Sequence, residues 1–180
     1  MRIAAGLLTA LAAGCMAGGA AAQTETEAQA VQLTGGASAI TETHGNWTVN
    51  CQVVNNTKVC STSYQQFDGK NQRVFAVELS PREGKAFGNA ALPFGLALQK
   101  GTSLTVDDRA IGETRPFSTC VSGGCLVPLS FDAATLTVLN RGSTLKIKGV
   151  ALETEREIEF SVPLAGFASA MGRTVQLLKD

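Results

Sequence analysis

A chain of 180 residues with 15 basic and 15 acidic side chains is long enough for one domain with a real core and too short for two ordinary ones. The charge is balanced and no basic stripe runs along the chain, which excludes the electrostatic footprint of a nucleic-acid binder. The N-terminus comes first in chain order. Arg2, an apolar run from Ile3 through Ala13 that weakens towards Ala22, and small residues at Ala20 and Ala22 ahead of Gln23 match a secretory signal cleaved after Ala22. This stretch is too rich in Gly and Ala to supply the roughly 20 strongly apolar residues of a membrane span. A second reading turns on Cys15, preceded by Leu11-Ala12-Ala13-Gly14, which has a partial likeness to a bacterial lipoprotein processing site. The simpler reading leaves Cys15 inside a discarded signal.

Residues 23–44 are rich in Thr, Glu, Gln, Ala and Gly with little periodicity, and they read as a flexible polar leader. The domain is predicted to occupy residues 45–180. Beyond residue 22 four cysteines remain, Cys51, Cys60, Cys120 and Cys125, an even number in an exported chain, and disulfides are the expected outcome. Residues 47–54 and 57–64 read as strands joined by Asn55-Asn56, and Asn tolerates the positive φ that a two-residue hairpin turn needs. Counting outward from that turn, Cys51 faces Cys60 in a non-hydrogen-bonded position, where Cα atoms approach to about 4.5 Å and a disulfide fits. Cys120 and Cys125 enclose four residues that include Gly123-Gly124, which allow the sharp turn a second staple needs. The cysteine spacings suit neither a zinc site nor a redox C-x-x-C pair, so no metal or cofactor is expected.

The first strand alternates, with Trp47, Val49, Cys51 and Val53 on one face and Thr48, Asn50 and Gln52 on the other, as in a sheet with one buried side. Further strands are predicted over 73–79, 94–99, 103–107, 115–120, 125–131, 144–152 and 156–162. Asp132 is placed to cap a short helix through Leu139, ending at Asn140-Arg141-Gly142. Leu164, Phe167, Met171 and Val175 recur at helical spacing between Pro163 and Leu178. Many short strands against two helices argue for a β-sandwich with the helices covering an edge or closing an end.

Chemistry is sparse. The single histidine, His44, falls at the end of the leader, which leaves no general base held in a core position. Glu153, Glu155, Glu157 and Glu159 alternate with Thr154, Arg156 and Ile158, as on an exposed strand hairpin where charge deters edge pairing. Asp107-Asp108 begins a turn and lacks the spaced oxygens of a calcium loop. An enzyme would need a polar pocket gathering Asp107, Asp108 or Glu113 with a raised carboxyl pKa. The apolar run Ala90-Ala91-Leu92-Pro93-Phe94-Gly95-Leu96 belongs either to the core or, if exposed, to a partner contact. Tyr64, in phase with Cys60 and Thr62, is expected to border the core.

Five segments in order carry a resemblance: Gly45-Asn46-Trp47-Thr48-Val49-Asn50-Cys51 followed by Cys60; Leu92-Pro93-Phe94-Gly95-Leu96-Ala97-Leu98 with Gly101; Phe117-Ser118-Thr119-Cys120; Gly124-Cys125; and Pro163-Leu164-Ala165-Gly166-Phe167. From Gly45 to the C-terminus the chain resembles the invasion-associated locus B family of exported alphaproteobacterial proteins. The resemblance implies an immunoglobulin-like β-sandwich, an envelope or surface location and, for members in pathogens, a part in host-cell entry. It implies no catalytic residues. The expectation is a periplasmic or secreted, non-enzymatic binding or structural module whose partner is another envelope protein or a host surface. The alternatives are an envelope enzyme with a carboxylate site on sandwich loops, or a surface protein anchored through a lipid on Cys15.

Overall fold

The computed structural model describes residues 31–180; the predicted signal with Cys15 and the first part of the leader lie outside them. Eleven strands and two α-helices follow in chain order: β1 Ala39–His44, β2 Trp47–Val54, β3 Thr57–Phe67, β4 Arg73–Arg82, β5 Lys85–Leu92, β6 Ser103–Val106, β7 Arg109–Ala110, β8 Thr119–Val121, β9 Gly124–Phe131, α1 Ala133–Arg141, β10 Thr144–Val150, β11 Glu157–Pro163 and α2 Phe167–Lys179. They form a seven-stranded sheet ordered β1-β2-β3-β4-β5-β9-β8 and a four-stranded sheet ordered β11-β10-β6-β7, with antiparallel neighbours throughout. The first five strands are a meander, so each finds its partner through a short connection.

The core lies between the sheets. Phe75 on β4 meets Phe160 on β11 nearly edge-on, with ring centroids 5.3 Å apart. Leu104, Val106, Leu145 and Ile147 of the smaller sheet are buried with Val77 and Leu79 of the larger. Helix α2 packs over the β1–β3 end of the larger sheet. Phe167 at the start of α2 sits 4.9 Å from the Trp47 ring, and the buried Trp47 indole donates a 2.9 Å hydrogen bond to the Pro163 carbonyl. This β-sandwich with two helices is the expected fold class.

The β2–β3 hairpin has the register read from the sequence: Val54 faces Thr57, Gln52 faces Val59 and Cys51 faces Cys60. Asn55 and Asn56 both take positive φ, 48° and 57°, as a type I′ turn requires. Disulfides join Cys51 to Cys60 and Cys120 to Cys125, with Cα atoms 4.1 and 3.9 Å apart. Asp132 caps α1 by accepting a hydrogen bond from the Thr135 amide at 2.8 Å.

Three expectations need correction. The ordered sheet starts before Gly45: β1 pairs with β2 over its whole length, and Leu33 is buried. Polar composition hid this strand, because its inward residues Ile40, Glu42 and His44 are only half-buried and two of them are ionisable. The strand predicted over 94–99 is instead a crossing segment between the sheets that ends in a 3-10 turn, Leu98–Lys100. Its neighbour β5 carries no strand signal in the sequence, because small residues, Ala86, Gly88 and Ala90, occupy inward positions. Gly88 lies so close to the backbone of Glu78 and Leu79 that a Cβ there would clash. The strand expected over 115–120 shrinks to β8, because Arg115 pairs with Thr102 as an isolated bridge across the two sheets' connection.

Candidate binding surface

The outward face of the seven-stranded sheet is built mostly of small and neutral polar side chains. Register places Thr41 beside Asn50, Asn50 beside Ser61, and Ser63 beside Glu78, which in turn faces Asn89. Two shallow grooves of about 430 and 410 Å³ run over this face and share Arg73, Ala76, Glu78 and Ser80. Hydroxyls and amides offer hydrogen bonds there over a floor of small side chains.

The grooves lead to a larger hollow of about 640 Å³ at one end of the sheet. Gln65, Arg73 and Val74 come from β3 and β4, Asp68 and Gln72 from the turn between them, Pro93 and Phe94 from the chain leaving β5, and residues 122–124 from the β8–β9 turn. Each wall has a local cause. Asp68 folds its own turn, its Oδ1 accepting from the Lys70 and Gln72 amides at 2.8 Å each, with Asn71 at φ 59°. The Cys120–Cys125 bond fixes the opposite hairpin. Across the hollow, Arg73 donates through Nη2 to the Gly123 carbonyl at 3.1 Å. A Cβ at position 123 would stand 2.6 Å from Arg73 Nη2, so a larger residue there would make the end of the arginine side chain shift.

Phe94 is 61% exposed, the largest value among the large apolar side chains of the described residues. The apolar run 90–96 therefore divides: Ala90, Leu92 and Leu96 are buried in the core, while Phe94 points away from it. Among the described residues no carboxylate lies within salt-bridge distance of Arg73.

The carboxylates considered for catalysis do not converge. Asp107 accepts hydrogen bonds from the Ser143 and Thr144 amides at 3.0 to 3.1 Å. Asp108 pairs with Lys146 at 2.8 Å, and that ammonium holds its carboxyl below the usual range, opposite to a raised general acid. Glu113 lies apart, in a hollow with Pro116 and Pro128. Glu157 and Glu159 are on edge strand β11 and pair with Lys148 and Lys146 of β10. Glu153 and Glu155 fall in the turn before it. His44, expected on a loose leader, is held on β1, with Nε2 3.3 Å from Glu42 Oε2. Tyr64 is buried and donates to Gln66 Oε1 at 2.6 Å. Among the described residues no group of three or more His, Cys, Asp or Glu could hold a metal ion, and no helix is long and apolar enough to cross a membrane.

The hollow was not legible as a site in the sequence. Arg73 and Gly123 are 50 residues apart; only the Asp68 turn and the Gly-Gly hairpin signal that two loops are shaped there.

Residues 47–174 match the model of the family described as Invasion associated locus B (IalB) protein. The chain belongs to that family. The match begins on β2 and ends inside α2. Locus B relatives agree over most of the chain. An invasion protein B homolog of Brucella abortus (strain 2308) is 40% identical over 152 residues, 83% of this chain and 87% of the relative. Invasion protein B of Bartonella bacilliformis is 34% identical over 157 residues, 86% and 84% of the two chains. The crystal structure of invasion associated protein B from Bartonella henselae superposes with a TM-score of 0.73 at 32% identity, covering 78% of this chain and 97% of that one. These locus B relatives carry the names of invasion proteins, not of enzymes.

Proposed function

We propose that the protein is an exported module of the cell envelope, periplasmic or secreted after cleavage behind Ala22, that binds another macromolecule and carries out no chemistry of its own. The observation that carries this reading is the hollow around Arg73 and Phe94. It joins an exposed aromatic ring to a cation that has no carboxylate within salt-bridge distance among the described residues, the kind of pair that anchors protein interfaces. Two local disulfides suit a small domain that stays folded in an oxidising compartment. The names of the relatives bring host-cell entry into the same proposal: in a pathogen, the partner bound there is a host-surface or envelope protein.

The test is a photo-crosslinking amino acid placed at position 94 in the native host, compared with the same group at Val138, exposed on α1. The reading expects a discrete adduct from position 94 and none from 138. Equal adducts from both, or none from 94, would contradict it.

A further inference from the structure

We infer that two copies of this chain join along their β1 edges, with Thr41 facing Thr41 of the second copy, so that two seven-stranded sheets run on as one. The backbone of β1 sets this up. Ile40, Glu42 and His44 face Cys51, Val49 and Trp47 across the Gly45-Asn46 turn, and Ser38 beyond them accepts from the Val53 amide at 3.0 Å. In a two-residue hairpin these alternate positions make the ladder bonds, so the N–H and C=O groups of Ala39, Thr41 and Thr43 point away from β2. Those three residues are exposed, and among the described residues no backbone group bonds to them on that side. The chain before β1 runs elsewhere: Val31 donates to Asn56 Oδ1 and Leu33 is buried, which carries that segment to the tip of the β2–β3 hairpin instead of along the outer edge.

A second copy fits this edge because the edge is complementary to itself. A two-fold axis through Thr41 opposes Thr41 to Thr41, Ala39 to Thr43 and Thr43 to Ala39. Each pair exchanges two N–H···O=C bonds, so every outward group of both strands is used. Moving the axis to Ile40 leaves Thr43 opposite Ala37, outside the strand; moving it to Glu42 sets two carboxylates face to face and leaves Ala39 opposite Gly45. On the open face the axis through Thr41 brings together only Thr and Ala side chains, small enough for close pairing. On the inner face Ile40 meets Glu42 of the second copy, whose carboxylate is already paired with Arg173 at 2.8 Å. Helix α2 packs chiefly over β2 and β3, so its two-fold mate stands about four strand spacings away, roughly 19 Å. That is about twice the separation of packed helices and leaves the axis clear.

The other sheet edges are guarded. Strands β8 and β7 have three and two residues, and β11 exposes Glu157 and Glu159, like charges that a second copy would meet. Strand β1 has six residues with neither proline nor lysine among them. Pairing there also extends the open face. The groove of about 430 Å³ includes Ala39, Ile40 and Thr41 of the last strand. In the pair it continues onto the second copy, whose Thr41 and Thr43 border it. The Arg73–Phe94 hollow is built from other strands, so this inference and the binding reading above stand or fall separately.

The experiment is analytical ultracentrifugation of the oxidised protein purified from its own cells, from about 1 μM to about 1 mM. Thr41→Pro, Thr41→Cys and Thr43→Cys are run beside wild type, each checked for an unchanged melting transition. Proline at 41 removes only an outward N–H, since the ladder to β2 does not use it. The expected result is a reversible monomer–dimer equilibrium within that range, weakened about tenfold or more by Thr41→Pro. Thr41→Cys yields a disulfide-linked dimer, its two Cα atoms about 5.5 Å apart. Thr43→Cys does not, because the two substituted positions lie four residues out of register, about 13 Å apart. Should Thr41→Pro fail to fold, the two cysteine variants carry the test. Protein that stays monomeric and is not trapped by Thr41→Cys would overturn the inference. A dimer that Thr41→Pro leaves intact and Thr41→Cys does not trap would overturn it in favour of another interface, and equal trapping by Thr43→Cys would overturn the register. Slow hydrogen exchange at the Thr41 amide in dilute monomer would overturn it in favour of the chain's own first residues lying on that edge.

Discussion

Glu42 on the first strand and Arg173 on the last helix meet in a two-pronged ion pair: Arg173 Nε donates to Glu42 Oε2 and Arg173 Nη2 donates to Glu42 Oε1, both at 2.8 Å. The pair closes the sheet edge across 131 residues of chain. It also explains how a strand as polar as β1 is fastened, since Glu42 and His44 point towards α2 instead of solvent.

This clamp predicts an acid dependence. Hydrogen bonding from Arg173, and secondarily from His44, lowers the Glu42 carboxyl from 4.5 to about 2. A carboxyl depressed in the fold contributes stability that is complete above about pH 4.5 and is lost as the pH falls through 2. Glu42→Gln should lower the melting temperature by a few degrees at pH 7, and the gap to wild type should close near pH 2. A gap that stays constant from pH 7 to pH 2 would refute the clamp. Asp108 and Asp132 are also depressed, by Lys146 and by the Thr135 amide, but they titrate alike in both proteins and cancel in the difference.

Replacing both Cys51 and Cys60 with Ser should cost about 2–3 kcal/mol in denaturant unfolding, the value for closing a short loop, and less than a long-range bridge would. An unchanged midpoint in oxidised protein would remove that bond from the account.

Trp47 is fully buried between Tyr64 and Phe167 and spends its indole N–H on Pro163. Trp47→Phe should cost about 1–3 kcal/mol through the orphaned carbonyl and lost volume, and Trp47→Ala about 3–5 kcal/mol. As the protein's single tryptophan, it should emit at short wavelength when folded and shift to the red on unfolding. Emission typical of exposed indole in the native state would contradict its position.

Two glycines near that site should respond with opposite signs. Gly166 has φ 93°, and a Cβ there would clash with the His44 carbonyl, so Gly166→Ala should strain the turn that brings α2 onto β1 and lower stability. Gly172 lies inside α2 facing open space, so Gly172→Ala should raise stability by about 0.5–1 kcal/mol. Thermal unfolding of the two variants side by side checks both; a stabilised Gly166→Ala would show that the turn is not where the structure has it.

These positions also show how far the sequence could be read. The β2–β3 hairpin was legible because its determinants are local: Asn-Asn sets the turn, alternation sets the faces, and the cysteine register follows. The Asp132 cap and the α2 stripe were legible for the same reason. What defeated local reading was β1, whose inward carboxylate is satisfied by an arginine 131 residues away, and β5, whose inward positions include Ala86, Ala90 and Gly88, the last with the β4 backbone lying against it. The candidate site was hidden for the same cause. Phe94 read as one member of an apolar run, and nothing local to Arg73 indicates that Gly123 would come to hold it.

The most direct test of an exported, two-disulfide module is the intact mass of the native protein from its own cells, with and without reduction, in fractionated compartments. The account predicts a chain beginning at Gln23, four hydrogens lighter before reduction than after it, recovered from the periplasm or the medium. A cytoplasmic, uncleaved chain whose mass is unchanged by reduction would contradict it. An acylated chain beginning at Cys15 in the membrane fraction would replace the soluble module with a tethered one.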